Sequence, residues 1–277
     1  MDMALAWGIL IVGFVWFIFQ QLYPYLLQFL QSRGMVRENY QGMAIPIAVG
    51  LFIPLAQVVA LPFLVLYEQI RSIYLFQVVV LVGIAFLGWR DDLFGGNEAK
   101  GIRGHFLLWR RTGAVSTGLQ KAIGTCILSF LICAMYSTSL LAFFIDFFLI
   151  LFATNLLNLL DLRPGRAIKS FLLLLIPLFA FSVIIYSPLL WLPPLTAAFF
   201  LLRFDLQGRA MLGDTGSNSL GMLIGFWTVL FASLEYKLIF LIISVLIHLY
   251  AEKKSITVLI QNTAFLRWLD TLGRKKA

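Results

Sequence analysis

An adjacent pair of carboxylates, Asp91 and Asp92, ends the third apolar run of the chain, directly after Trp89 and Arg90. Neighbouring carboxylates repel each other, so the pair is costly unless a cation lies nearby. A hard divalent ion such as Mg²⁺, which often accompanies phosphate substrates, would relieve that cost. The alternative is a solvated helix end on which Arg90 compensates the charge. The pair by itself leaves both interpretations open.

A third carboxylate, Asp214, follows another apolar run in the segment Gly-Asp-Thr-Gly-Ser, residues 213–217. Gly213 and Gly216 permit close approach of the backbone to a ligand. A carboxylate among backbone N–H groups suits a metal ion or a phosphate group. The alternative is a helix N-cap formed by one of the polar residues of the segment. Capping and metal binding are compatible, and we predict a functional role for Asp214.

Two asparagines and an aspartate end the fifth apolar run at three-residue spacing: Asn155, Asn158 and Asp161. This spacing places them on one face of a helix. Such a polar face on a membrane helix must contact protein or water rather than lipid. Hydrogen bonding between helices is the alternative. The favoured interpretation is a ligand site, because a basic turn follows immediately.

That basic turn surrounds Pro164 and Gly165 and contains Arg163, Arg166 and Lys169. Guanidinium and ammonium groups so close together suit a phosphate-rich ligand. His105, in the longest polar loop, could contact a phosphate or act as an acid or base. An interfacial histidine with neither role is an equally good interpretation.

The composition predicts the setting for these residues. Of 277 residues, 61% are hydrophobic and 12% are charged, against about 25% charged in a soluble domain. The chain is therefore predicted to be a multi-pass membrane protein without a separate soluble domain. The two cysteines, Cys126 and Cys133, lie on one helix face, where they cannot bridge each other. No His/Cys metal cluster, nucleophilic triad, Walker-type loop or nucleic-acid-binding motif occurs.

Nine apolar runs predict an all-α transmembrane bundle of about nine spans. They cover residues 3–22, 43–66, 73–89, 119–136, 140–160, 171–186, 189–202, 219–234 and 238–250. If residues at the edges of the runs are counted with them, the alternate loops hold all of the 21 Lys and Arg residues except Arg71 and Lys237. The positive-inside rule then places the N-terminus outside and the C-terminus in the cytoplasm. All the polar segments described above fall on the cytoplasmic side.

The chain is predicted to divide into one transmembrane domain, residues 1–250, and a basic amphipathic tail, residues 251–277. Apolar residues in the tail follow roughly helical spacing between clusters of lysine and arginine. Such a segment is expected to lie along the inner membrane surface. The net charge of +8 also fits contact with anionic membrane lipids.

Together these segments resemble the polyprenyl-phosphate N-acetylhexosamine-1-phosphate transferase superfamily, which includes phospho-N-acetylmuramoyl-pentapeptide transferase. The family's Asp-Asp pair is matched by Asp91 and Asp92. Its Asn-x-x-Asn-x-x-Asp segment is matched by Asn155, Asn158 and Asp161. Its Gly-Asp-Thr-Gly-Ser segment is matched by residues 213–217. Order, spacing and sidedness agree over roughly residues 30–235.

The resemblance implies a cytoplasm-facing cleft in a bundle within the bacterial plasma membrane. It implies an Mg²⁺-dependent enzyme that moves a sugar-1-phosphate, of N-acetylhexosamine type, from a UDP-sugar to undecaprenyl phosphate and releases UMP. Such enzymes make precursors of cell-envelope glycans. Asp214 and Asn158 would correspond to metal-binding positions. Asp91 or Asp92 would help to bind the lipid phosphate or deprotonate it.

The chain departs from the family in two places, so it would be a short and divergent member. Pro164 replaces the second aspartate of the family's Asp-Gly-x-Asp-Gly segment, and Arg163 and Arg166 are added. The histidine-rich loop near the family's C-terminal end is absent. A noncatalytic relative that binds polyprenyl phosphate or a nucleotide-sugar, with a regulatory role, is therefore the alternative. A transporter is a third hypothesis, but Asp146 is its only mid-span carboxylate. The oligomeric state is open, with a homodimer as one option.

Overall fold

The computed structural model describes residues 3–95, 110, 115–182 and 187–274. This part of the chain contains eleven α-helices and one two-stranded hairpin. The helices are α1 Met3–Ser32, α2 Phe52–Val59, α3 Arg71–Phe94, α4 Thr117–Tyr136, α5 Leu140–Leu160, α6 Arg166–Ala180, α7 Pro188–Leu206, α8 Gly213–Phe231, α9 Leu234–Lys253, α10 Ile256–Asn262 and α11 Ala264–Thr271. The strands are β1 Val36–Glu38 and β2 Ala44–Pro46, paired antiparallel. The prediction of an all-α bundle is confirmed.

Seven helical segments within the described residues are long and apolar enough to cross a membrane. They are Ala6–Ser32, Val49–Leu66, Glu68–Phe94, Thr117–Tyr136, Leu140–Leu160, Pro188–Leu206 and Leu234–Lys253. The sequence predicted nine spans. The other two predicted runs fall on α6, which has 15 residues, and on α8, whose first two turns are polar.

Helix α8 is the central element of the bundle. Nearly all of its 19 residues are buried, including the polar Thr215, Ser217 and Ser219 of its first turns. It packs against α3 and α5 along its length, and against α6. Gly221 permits this close packing, because a Cβ there would lie 2.5 Å from Thr154 Cα on α5. The start of α8, which carries Asp214, is therefore surrounded by the ends of other helices.

A buried hydrogen-bond network joins α2, α3, α7 and α8. Pro194 has no N–H group, so the Leu190 carbonyl on α7 lacks its normal helical donor. The side-chain amides of Gln57 and Gln77 both donate to that carbonyl, each at 2.8 Å. Trp227 Nε1 donates to Gln77 Oε1 at 2.9 Å. These polar side chains satisfy a helix defect, which explains their presence among apolar helices without a ligand.

Asp146 is not isolated in the structure. It lies in the first half of α5, at the end of the bundle opposite to Asp161, and its residue is 1% exposed. Lys237 Nζ on α9 lies 2.9 Å from Asp146 Oδ1, and Ser137 Oγ donates to Asp146 Oδ2 at 2.8 Å. A buried carboxylate with a cationic partner and a hydroxyl donor is a structural ion pair. It gives no support to a transport pathway.

The tail forms two short helices, α10 and α11, rather than one. Both helices lie against the first turn of α6, where Arg166 is bonded to Asp270 on α11 and to Thr257 on α10. The chain between them is extended at Thr263, with φ −102° and ψ 112°. The tail is thus docked on the bundle through specific polar contacts.

Candidate functional site

Three charged side chains from three helices meet at one end of the bundle. Lys121 on α4 donates a hydrogen bond from Nζ to Asp91 Oδ2 on α3 at 2.7 Å and another to Asp214 Oδ2 on α8. Thr117, one turn before Lys121, donates to Asp91 Oδ1 at 2.5 Å. The side chains of Asp91 and Lys121 each keep 18% exposure. The cluster is therefore half-enclosed and open to a ligand.

Asp92 points away from Asp91 and caps the start of α8. Its Oδ1 accepts from the backbone N–H of Asp214, and its Oδ2 from the backbone N–H of Thr215, both at 2.9 Å. The Thr215 hydroxyl donates to Asp92 Oδ2 at 2.6 Å. A carboxylate at a helix N-terminus satisfies free N–H groups and complements the helix dipole. The repulsion expected between Asp91 and Asp92 is thus relieved by two different sets of partners.

Two glycines make this meeting of α3 and α8 possible. A Cβ on Gly88 would lie 2.5 Å from the Asp214 carbonyl oxygen, which is closer than real Cβ atoms approach. Gly213 has a φ of 72°, a left-handed conformation that favours glycine. A Cβ at Gly213 would also lie 2.6 Å from Asp92 Oδ2. The glycine at the start of the Gly-Asp-Thr-Gly-Ser segment therefore sets the backbone geometry that Asp92 caps.

Asn158 is brought to the same helix end. Ser217 Oγ on α8 lies 3.1 Å from Asn158 Oδ1 and 3.0 Å from the Gly213 carbonyl oxygen, and it is placed to donate to either. Asn155, one turn earlier on α5, is exposed. The structure thus joins Asn158, but not Asn155, to the polar start of α8.

A cavity of about 400 Å³ opens beside this cluster. Its charged lining residues are Arg37, Glu38, Asp92, Asp161, Arg163, Asp205 and Asp214. The Arg163 guanidinium lies over the ring of Tyr40, another lining residue, at 5.4 Å from the ring centroid. Five acidic and two basic residues therefore line one cavity, which is an environment suited to a cation and to polar substrates.

Burial and neighbouring carboxylates raise the pKa of Asp161 and of Asp214, which lie outside the membrane-spanning helices. Burial, together with the charges of Asp205, Asp214 and Asp92, raises the pKa of Asp161 well above its ordinary value. Burial raises the pKa of Asp214 to about 7, although the Lys121 ammonium opposes that change. One lysine does not compensate the carboxylates of this site, so a further cation would stabilise their charged forms.

Arg166 and Lys169 lie outside the lining of this cavity. The Arg166 side chain is 4% exposed and makes an ion pair with Asp270. Lys169 Nζ donates to the backbone carbonyls of Leu269 and Asp270, at 2.7 and 2.6 Å. Of the three basic residues of the turn, the structure brings only Arg163 to the cavity. The other two hold the tail.

His105 lies outside the described residues, so its predicted role stays a prediction. Within residues 3–95, 110, 115–182 and 187–274, no three His, Cys, Asp or Glu side chains are grouped closely enough to hold a metal ion. Of the two residues predicted to hold Mg²⁺, Asn158 has its Oδ1 3.1 Å from Ser217 Oγ, and Asp214 lies three residues before Ser217 at the start of α8. Oxygen donors with excess negative charge are the chemistry that Mg²⁺ prefers.

Sequence reasoning missed Lys121 and Asp205. Lys121 lies at the start of a membrane span, a common position for a lysine that contacts lipid head groups. The signal that was available is the sequence Thr117-Gly-Leu-Gln-Lys121, in which a hydroxyl and an amine lie four residues apart on one helix face. Asp205, at the end of an apolar run and 4% exposed, offered no comparable signal.

Comparison with known proteins adds no assignment to this geometry: no protein-family model matches the chain, and neither does any curated protein.

Proposed function

We propose that the protein is an Mg²⁺-dependent glycosyl-1-phosphate transferase. It would transfer a sugar-1-phosphate, of N-acetylhexosamine type, from a UDP-sugar to undecaprenyl or another polyprenyl phosphate, releasing UMP. The observation that carries the proposal is the meeting of Asp91, Asp214 and Lys121 beside an acidic cavity. Asp92 and Thr215 belong to two of the motifs that suggested this chemistry. They lie 123 positions apart in the sequence, yet they are hydrogen-bonded to each other in the structure.

The proposed setting is the bacterial plasma membrane, with about nine spans, the N-terminus outside and the cavity in the cytoplasm. The support is the charge of the loops, because the basic segments lie on the side of the cluster. A site at that interface can receive a nucleotide from water and a lipid phosphate from the bilayer.

In the proposed reaction, a phosphate oxygen of the acceptor attacks the β-phosphorus of the donor. The bond from that phosphorus to the bridging oxygen breaks, and UMP leaves with the oxygen. Such transfers depend on positioning and charge neutralisation more than on covalent help from the protein. Lys121 supplies a fixed positive charge, which Asp91 and Asp214 hold in place. Asp214 and Asn158 would hold Mg²⁺, which when bound neutralises phosphate charge.

The two neighbouring aspartates are suited to different roles. Asp92 is 5% exposed, and its oxygens already accept three hydrogen bonds from the start of α8. Asp91 keeps 18% side-chain exposure and is the better placed of the two to contact the acceptor phosphate or take its proton. Asp92 would fix α8, and with it Asp214, relative to α3.

A noncatalytic relative that binds polyprenyl phosphate or a nucleotide-sugar is the second candidate. The observation that favours it is that two basic residues of the turn around Pro164 and Gly165 have partners other than a ligand. Arg166 and Lys169, predicted to bind phosphate, are bonded to the tail instead. A binding protein needs the cavity but not the full set of cations that stabilises a transition state.

The experiment incubates the purified full chain with undecaprenyl phosphate, Mg²⁺ and a panel of nucleotide sugars. We expect release of nucleoside monophosphate, loss of that release in Asp214→Asn, and loss after chelation of Mg²⁺. Glu235→Gln is the matched control, because Glu235 is an exposed carboxylate at the start of α9. Binding of lipid without turnover of any donor would overturn the enzyme proposal and favour the binding protein.

A further inference from the structure

A single carboxylate, Asp270, joins the tail to the bundle. Its Oδ1 accepts from Arg166 Nε at 2.7 Å and its Oδ2 from Arg166 Nη2 at 3.1 Å, so the pair is bidentate. Arg274 Nη2 donates to Asp270 Oδ1 at 2.6 Å. The side chains of Arg166 and Asp270 are 4% and 8% exposed. A buried bidentate pair of this kind fixes geometry as well as contributing energy.

Lys169 adds a second attachment at the end of α11. Its Nζ donates to the carbonyls of Leu269, Asp270 and Leu272, at 2.7, 2.6 and 3.2 Å. The last carbonyls of a helix lack intrahelical donors and carry partial negative charge. The ammonium of Lys169 satisfies them, and all three of its donors are used within the tail.

The tail also contacts the turn that precedes α6. Arg274 Nε donates to the Pro164 carbonyl at 2.8 Å. On the other side of the turn, the Gly165 N–H donates to Asp205 Oδ2 at 2.8 Å. Gly165 has a φ of 74°, a left-handed conformation that glycine adopts without a steric penalty. The turn is therefore fixed between Asp205 on α7 and Arg274 of the tail.

The same turn forms one wall of the cavity beside Asp214. Residues 161–164 all line that cavity, and they include Asp161 and Arg163. The lining is rich in charged groups, so the cavity suits the water-soluble nucleotide end of a donor better than the hydrocarbon chain of an acceptor. Displacement of this wall would alter the position of Arg163 without touching Asp91, Lys121 or Asp214.

We infer that the C-terminal tail, which contains α10 and α11, supports one wall of the cavity beside Asp214, where the donor would bind. Asp270 is a positioning residue that holds residues 161–166 in place. This inference rests on the proposed function for the identity of the ligand. It assigns the tail a role in donor binding, beyond attachment to the membrane surface.

The test compares Asp270→Asn with wild type in two measurements. The first is hydrogen exchange of the backbone amides in residues 161–169, which requires no activity. The second is the separate KM for donor and for acceptor, with the donor that the nucleotide-sugar panel identifies. We expect faster exchange in 161–169 and a donor KM raised about tenfold, because small misplacements of binding groups have large effects. Acceptor KM and kcat should stay within about twofold.

Asp146→Asn is the matched control, because it also removes a buried carboxylate from an ion pair, at the opposite end of α5. It should lower the melting temperature but leave exchange in 161–169 and donor KM unchanged. Arg274→Gln is the second variant, in case Asp270→Asn does not fold. It removes the contact with Pro164 but keeps the Arg166–Asp270 pair, and it should show the same changes with smaller size.

The possible outcomes separate the two proposals. If a folded Asp270→Asn or Arg274→Gln variant shows wild-type hydrogen exchange in residues 161–169, the tail does not hold these residues in place and the inference is wrong. Faster exchange with an unchanged donor KM would overturn the role in donor binding. If wild type turns over no donor, the proposed transferase fails and the predicted effect on donor KM fails with it, while exchange in 161–169 still decides whether the tail holds the turn.

Discussion

The acidic cluster around Asp214 and the tail attachment around Asp270 lie at one end of the bundle, but their balances of acidic and basic groups are opposite. In the cluster, two carboxylates share one lysine, and the adjoining cavity has more acidic than basic lining residues. At the tail, Arg166, Lys169 and Arg274 surround one carboxylate, but their remaining contacts are carbonyl and hydroxyl oxygens. The first region is open and short of positive charge. In the second, the charged groups already bond to one another and to backbone and hydroxyl oxygens, beside an apolar cavity.

This difference teaches which charged residues are available for chemistry. A charged group whose hydrogen-bonding capacity is already used by the protein would have to break those bonds to bind a ligand. Asp91, Lys121 and Asp214, whose side chains keep 18%, 18% and 28% exposure, are therefore candidates for substrate contact. Arg166 and Asp270, at 4% and 8% exposure, and Lys169, which donates three bonds to the tail, are structural. The sequence alone predicts one shared site for Asp91, Asp214, Arg166 and Lys169, and it points to neither Lys121 nor Asp270.

The largest expected effect comes from removal of the one lysine of the cluster. In Lys121→Met, Asp91 and Asp214 lose their shared cation, and the site loses its fixed positive charge. We expect kcat to fall about 100-fold, the scale seen when one electrostatic contact to a transition state is removed. Lys121→Arg keeps the charge and should retain part of the activity. Turnover of Lys121→Met near the wild-type rate would remove Lys121 from the catalytic role.

Gly88→Ala tests whether the cluster depends on close packing of α3 and α8. The new Cβ would meet the Asp214 carbonyl oxygen at 2.5 Å, and we expect a loss of about 1–3 kcal/mol in stability. Thermal unfolding measures this loss. Gly83→Ala is the control on the same helix, because its Cβ would meet only the flexible Leu128 side chain at 3.4 Å. Equal melting temperatures for both variants would contradict this account of the helix contact.

Asp92→Asn tests the assignment of Asp92 as the cap of α8. Asparagine keeps one acceptor oxygen but loses the charge that complements the helix dipole, so stability should fall by about 1 kcal/mol. The fall should be unaffected by Mg²⁺, since the role is structural. Ser233→Ala, which removes the side-chain cap of α9 at the opposite end, gives the scale of an ordinary cap. A fall that appears only in the presence of Mg²⁺ would instead indicate a metal ligand.

The smallest expected effect is acid release of the tail. Burial alone would raise the pKa of Asp270, but Arg166 and Arg274 outweigh it and hold that pKa below its ordinary value of 3.8. A carboxylate with a lowered pKa in the folded state contributes stability at neutral pH, and that stability is lost as the pH falls through the lowered value. We therefore expect proteolysis of the tail to accelerate only at pH below about 4. Release already between pH 7 and 5 would contradict a lowered pKa.

Much of the architecture follows from the sequence alone. Long apolar runs bounded by polar segments predicted helices α1, α3, α4, α5 and α9, because a membrane-spanning segment must satisfy its own backbone hydrogen bonds. The polar segments at the ends of α3 and α5 and at the start of α8 predicted where a site would lie. The short helices of the tail were less predictable, since the break at Thr263 has no proline or glycine to mark it.

The set of helices and the polar residues at their ends can be predicted from the amino-acid sequence. Only the tertiary structure decided how those residues pair. Lys121 reaches carboxylates 30 and 93 positions away, Asp92 turns to α8 rather than toward Asp91, and Arg166 bonds to Asp270 rather than facing the cavity. The physical reason is that helix periodicity is local, whereas the partner of a charged side chain depends on which helix ends pack together.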